Sequence, residues 1–323
     1  MKRVFVSGPT GCIGAATVAY LLDHGVAQVI GFSRNRDFSR IPERYHDRLT
    51  WVQGDICDAS TVCQAVADSQ PTHIIHLAAY QTPDCQAHPL QGLEVNVTGS
   101  INMFRAAAAL NSELQRFVFA SSAAVYGSRG LYASDTVREL SPYQPPNLYG
   151  YWKVAGEGMA QAFHRETQIA TVALRLATTY GPGRDRGLTS APTSAIKSAA
   201  LGAGFQMPYQ GREHYHFVSD VGAGFAQAAL ESFSGYGVFN LRGKTIEVSE
   251  FLDTIRQAAH AEGLTDAAEL GFADDATTMP FVCDLDDQAI LAAFPNMPLT
   301  SLSDGVRHAL RVFRNLADSG QRD

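Results

Sequence analysis

The chain of 323 residues carries a net charge of −7, with 46% hydrophobic and 18% charged residues. This acidic balance argues against a nucleic-acid or anionic-membrane partner, and no apolar run reaches the roughly 20 residues that span a bilayer. The length fits one large α/β domain or two unequal lobes.

Short apolar runs alternate with helix-length segments through the first half. Strands are predicted at Val4–Val6, Val29–Phe32, Thr50–Val52, Ile74–Leu77, Phe117–Ala120 and Val172–Leu176, and helices at Ile13–Leu22, Leu90–Leu110 and Tyr149–Thr167. Such alternation implies a doubly wound parallel sheet covered on both faces, an α/β fold. After Leu176 the pattern loosens into Gly/Pro-punctuated loops, the kind that shape a ligand site. A returning strand is expected at Val238–Leu241, a helix capped by Ser249, and a terminal amphipathic helix at Leu302–Leu316. The expected organisation is a dinucleotide-binding domain over 1–177 with a returning segment near 216–245, and a smaller, mainly substrate-binding lobe over 178–323. The 5 cysteines are scattered without a Cys-x-x-Cys pair, which fits reduced thiols in a cytoplasmic protein. Met1-Lys2-Arg3 opens like a signal peptide, but no long apolar stretch follows.

Gly8-x-x-Gly11-x-x-Gly14 follows the first strand and opens a helix, the context in which such a motif holds a pyrophosphate. The second strand ends in Ser33-Arg34-Asn35-Arg36 with no carboxylate before Asp37. An acid there grips the ribose of NAD, whereas an arginine accommodates the 2′-phosphate of NADP; NADP is therefore expected, with NAD as the alternative. Asp55 after the third strand offers an acceptor for an adenine amino group. The small residues Ala78 and Ala79 after the fourth let a cofactor pass closely, and His76 reads as a packed strand-end histidine.

Tyr149 and Lys153, at i and i+4, share one helix face. An ammonium beside a phenol is expected to lower its pKa from about 10 and poise Tyr149 for acid–base work. A hydroxyl within Ala120-Ser121-Ser122-Ala123-Ala124-Val125-Tyr126-Gly127 can hold the substrate oxygen. A coenzyme that carries hydride, with a group that moves a proton, describes carbinol–carbonyl redox. His214 and His216 share a strand face, but no third ligand is evident nearby, so no metal is expected and surface or substrate contacts are.

Taken together these motifs resemble the extended short-chain dehydrogenase/reductase family, the NAD-dependent epimerase/dehydratase group acting mainly on nucleotide sugars. The resemblance runs nearly end to end, through Gly54-Asp55-Ile56, Asn96–Ser100, Tyr180-Gly181-Pro182 and Phe217–Val221. It implies Ser122 as the catalytic hydroxyl, with Tyr149 and Lys153 as base and orienter. For the cofactor it implies Gly8, Thr10, Gly11, Cys12, Ile13 and Gly14, then Ser33, Arg34, Asp55 and Ile56. Leu77, Ala78, Ala79 and Asn96 complete that set beside Tyr149 and Lys153. Substrate contacts are implied at Tyr80, Ser122, Ala123, Tyr126, Thr178 and Arg212, and a homodimer through Gly92–Leu110 and Tyr149–Thr167.

Departures from the family pattern are informative too. Ala123 and Ala124 stand where dehydratases carry an acidic pair. Thr178-Thr179 stands where an asparagine touches the substrate diphosphate. Glu213 takes the position of a family arginine unless a one-residue shift restores Arg212. The reading is an NADP-dependent oxidoreductase acting on a carbinol or carbonyl carbon of a sugar or sugar-like compound. The alternatives are a nucleotide-sugar epimerase with retained NAD(P) and a non-catalytic cofactor sensor on the same fold.

Overall fold

Successive residues of the first strand, β1 (Arg3–Ser7), serve two different cores: Val4 and Val6 join one apolar cluster and Phe5 the other. A strand apolar on both faces belongs inside a parallel sheet covered by helices on each side. The computed structural model, which describes residues 1–110, 113–264 and 269–320, has that sheet.

From β1 the chain runs through α1 (Cys12–Asp23), β2 (Gln28–Ser33), β3 (Leu49–Gln53), α2 (Ala59–Ser69) and β4 (His73–His76). Two short helices follow, α3 (Thr82–Ala87) and α4 (Pro89–Leu93), then α5 (Gly99–Ala108), β5 (Arg116–Ala120), α6 (Leu148–Thr167) and β6 (Ala170–Arg175). Beyond β6 lie β7 (Thr178–Tyr180), α7 (Ala191–Ala200), β8 (Phe205–Gln210), β9 (Arg212–Phe217), α8 (Val218–Leu230) and β10 (Tyr236–Asn240). The chain ends through β11 (Lys244–Glu247), α9 (Val248–Ala261), β12 (Leu270–Thr278), α10 (Gln288–Ala293) and α11 (Leu302–Asp318).

The main sheet has 7 strands in the order β10-β6-β5-β4-β1-β2-β3, all paired in parallel. This is a Rossmann-type doubly wound sheet. Connections leave β1 towards β2 on one side, while β4 lies on its other side, so the C-terminal ends of β1 and β4 flank a crevice where ligands bind in such sheets. Both β10 and α8, which packs on α1, return the chain to this sheet after an excursion. That excursion and the C-terminal segments build two small sheets, β11-β9-β7 and β12-β8, around a separate apolar cluster centred on Phe251, Met207 and Ala195.

Two sequence expectations yield to local physics. The helix expected through 90–110 is broken by a π-helical turn at Glu94–Thr98. Such wide turns recur where a side chain must be re-aimed, and here Asn96 accepts from Tyr80 N at 2.8 Å and donates to Tyr80 O at 3.0 Å. Ser249 does not cap α9: the helix starts one residue earlier, and Val248 N donates to Gly211 O at 2.9 Å straight out of β11.

Beneath the loop after β5, Arg175 and Glu157 form an ion pair at 2.7 Å, with side chains 1% and 2% exposed. Tyr143 donates to the same carboxylate at 2.7 Å, and Ser121 donates to its other oxygen. Removing one partner of a buried pair strands the other charge. Glu157→Ala is therefore expected to cost about 3–5 kcal/mol of stability in a denaturant titration.

Candidate active site

The loop between β1 and α1 closes by contacts that leave no room for a Cβ. A methyl at Gly8 (φ +73°) would lie 2.9 Å from Ala78 N, and one at Gly14 only 2.0 Å from Gly8 O, whereas Gly11 meets nothing nearer than 3.6 Å. Gly11 caps α1 without a side-chain hydrogen bond, so no capping side chain competes with an anion at this helix N-terminus. Gly8, Gly11, Cys12, Ile13 and Gly14 all line a cleft of about 930 Å³. A cradle that a Cβ would fill, with uncapped amides at its end, fits the pyrophosphate of a dinucleotide.

The remaining cofactor candidates divide. Leu77 and Ala79 line the cleft, and Ala78 packs its backbone on Gly8. Ser33 donates to Asn35 O at 2.8 Å, Arg34 is exposed with its guanidinium 5.9 Å from the Tyr80 ring centroid, and Thr10 accepts from Arg40 at 3.4 Å. Asp37 turns its carboxylate into its own loop, accepting from Ser39 N at 2.9 Å. Asp55 accepts from Cys57 N at 2.9 Å, and Ile56 is buried against the helix face at Gly99. Asn96 is a correction: its amide is spent on Tyr80, so it positions that residue rather than facing the cleft. His76 is packed as expected, between Ser7 (2.6 Å) and Ser100 (3.1 Å), with burial pulling its pKa down to about 3.

Ser122, Tyr149 and Lys153 line the same cleft as the glycine loop. Asn147 caps α6 by accepting from Gly150 N at 3.0 Å, which sets Tyr149 in its first turn. Ser122 Oγ accepts from Ala124 N at 3.1 Å. Lys153 is buried and donates to Ala120 O at 2.7 Å, with Nζ 5.5 Å from the Tyr149 ring centroid. The expected lowering of the Tyr149 pKa by Lys153 is not what this arrangement gives. The ammonium lies over the ring and is held by a carbonyl, while the protein packed round Tyr149 pushes its phenol up; Ser122 pulls the other way. Burial brings Lys153 down to about 8.

On the substrate side, Tyr80, Ala123, Tyr126 and Thr178 line the cleft. The Tyr126 hydroxyl is committed to Asn240 at 2.8 Å and to Arg175. Arg212 is a second correction. It sits outside the cleft, paired with Asp284 at 2.7 Å, and strand alternation turns its neighbour Glu213 inward instead. His214 and His216 are a third. Both are buried rather than at the surface, bonded to Thr245 at 2.9 Å and to Arg242 O at 2.6 Å. Among the described residues no group of His, Cys, Asp and Glu could hold a metal ion.

The profile of the NAD dependent epimerase/dehydratase family matches residues 4–241. The chain belongs to this family. The family is of the extended short-chain dehydrogenase/reductase type that the sequence motifs resemble. A dTDP-glucose 4,6-dehydratase of Neisseria meningitidis serogroup B is 26% identical over 194 residues, covering 56% of this chain and 54% of that protein. The chain thus spans about half the length of the first curated relatives it matches. A UDP-glucose 4-epimerase of Mycolicibacterium smegmatis is 28% identical over 97% of this chain and 99% of its own length. The UDP-glucose 4-epimerase of Thermus thermophilus, solved with NAD, shares the fold at a TM-score of 0.80 and 23% identity, covering 97% of this chain and 99% of that one.

Some cleft residues of this family member escaped the sequence reading. Arg184 lines the cleft from the segment after Gly181-Pro182-Gly183, donating to Gln81 at 2.8 Å and Thr189 at 2.7 Å. The glycine punctuation was the available signal. Met279–Val282 also form wall, and nothing in their spacing announces it.

Where α6 meets the Ser122 loop, a methyl on Gly150 would lie 2.2 Å from Ala124 O. Gly150→Ala is expected to cost about 1–3 kcal/mol through overpacking, despite alanine's better helix propensity. It should also lower kcat by displacing Tyr149 from Ser122. A variant with unchanged melting and unchanged kcat would show that this contact is slack.

Proposed function

We propose that this enzyme interconverts a secondary carbinol and a ketone on a sugar or sugar-like substrate, with NADP as coenzyme. The observation that carries the reading is that Ser122, Tyr149 and Lys153 share one cleft with the pyrophosphate cradle. Bound nicotinamide supplies the hydride chemistry. Tyr149 gives or takes the proton at the substrate oxygen, and Ser122 holds that oxygen by its hydroxyl. Lys153, anchored to Ala120 O, would hold the nicotinamide ribose. Ala123 and Ala124 place no acid beside Ser122, so elimination of water finds no general acid there. Arg34 and Ser33 stand where a ribose-binding acid would be and favour a 2′-phosphate.

Epimerisation is the second reading, favoured by the end-to-end match to the mycobacterial epimerase. The two separate on one assay: an oxidoreductase consumes added NADP+ steadily, and an epimerase with retained coenzyme does not.

Tyr149→Phe is expected to lower kcat by about 10²–10⁴-fold while coenzyme binding, followed by nicotinamide fluorescence, is kept. Unchanged turnover would remove Tyr149 from the chemistry. Because the protein raises the Tyr149 pKa, phenolate is scarce at neutral pH. Carbinol oxidation should therefore accelerate as pH rises above neutrality, while ketone reduction, which uses the abundant protonated phenol, should slow only as the pH nears the raised phenol pKa. Arg34→Ala is expected to raise KM for NADPH about tenfold, the loss of one charge-assisted hydrogen bond, and to leave KM for NADH unchanged. An equal shift for both coenzymes would speak for NAD.

A further inference from the structure

Adjacent residues of β9 carry opposite charges to opposite sides of the strand. Arg212 goes outward to Asp284, at 2.7 and 2.8 Å, and Arg129 reaches the same carboxylate at 2.8 Å. Glu213 goes inward, 1% exposed, onto the wall of the cleft that holds Ser122 and Tyr149. A carboxyl group buried beside a reaction centre needs a use, because burial alone is costly for it.

The partners of Glu213 are neutral hydroxyls. Thr178 Oγ1 donates to one oxygen and Tyr209 OH to the other at 2.9 Å. Thr179, the next residue of β7, pairs with His216 and turns its hydroxyl to the other face of the sheet. Burial pushes the Glu213 carboxyl up, and in neither protonation state does it offer a positive donor. Phosphate recognition calls for guanidinium or ammonium groups, or converging N–H groups. Arg184 faces the same cleft, but Glu213 offsets its charge. Lys153 is tied to Ala120 O below. An acceptor carboxyl on the cleft wall, with the Thr178 hydroxyl against it, suits the hydroxyl donors of a polyol instead.

We propose that Glu213, held by Thr178 and Tyr209, is a specificity site that reads hydroxyl groups of an uncharged, unphosphorylated sugar or polyol and turns a nucleotide diphosphate away. The assignment rests on the cleft being the site of hydride transfer at Tyr149. It deepens that reading by naming the substrate class.

The test uses UDP as a probe of diphosphate affinity, titrated calorimetrically into the full chain with NADPH present. No turnover is needed, so the result stands whether or not Tyr149 proves catalytic. The wild-type protein is expected to bind UDP no more tightly than millimolar, and Glu213→Gln, which removes the charge at constant shape, to bind it at least about tenfold more tightly. Micromolar binding of UDP to the wild-type protein overturns the proposal without any variant. In parallel, across a panel of unphosphorylated aldoses and alditols, Glu213→Gln should raise KM about tenfold, more than it lowers kcat. A KM unchanged by Glu213→Gln, or UDP-glucose turned over with a higher kcat/KM than any free sugar, also overturns it. A fully active Tyr149→Phe would instead sink the reaction while leaving the UDP result to decide Glu213.

Discussion

Helix α6 approaches the loop after β5 so closely that glycine alone fits at position 150, with the Ala124 carbonyl 2.2 Å from where a methyl would sit. On the other side of the cleft the glycine loop closes just as tightly, Gly14 against Gly8 O. Main chain rests on main chain at both ends. The position of Tyr149 relative to Ser122, and of the α1 amides relative to the crevice between β1 and β4, is therefore set by backbone rather than by side-chain packing. Rigid elements of this kind hold a reaction geometry more accurately than mobile loops.

The electrostatics follow from that closeness. Protein packs closely round these groups, so His76 stays neutral between two serines, Lys153 drops to about 8, and the Tyr149 phenol rises. Each shift has the sign that burial imposes on the charged form. The carboxylate–guanidinium pair at this depth, Glu157 with Arg175, survives because Ser121, Tyr143 and Tyr126 satisfy its remaining oxygens and N–H groups. That pair underpins the loop carrying Ser122 without entering the cleft.

Much of this was legible in the sequence because period and punctuation report backbone geometry. Alternating strand and helix lengths, the glycine spacing after β1 and the i, i+4 pair on α6 each placed an element and a side chain together. What the sequence hid depends on partners distant along the chain. The break in the helix near Asn96 answers to Tyr80, sixteen residues away, and the inward turn of Glu213 is one strand position from the opposite outcome. Asp284, far along the chain, holds Arg212 outside, and no local pattern announces it. The pKa of Tyr149 likewise depends on how closely the fold packs around it, which composition does not express.

Two adjacent residues in the segment after β7 reach in different directions. Asp185 clasps Arg40 at 2.6 Å, next to the glycine loop, while Arg184 grips Gln81 at 2.8 Å on the substrate wall. A single peptide therefore joins a contact beside the glycine loop to one on the opposite wall of the cleft. The two anchors stand one residue apart, so neither contact can be repositioned without the main chain that carries the other.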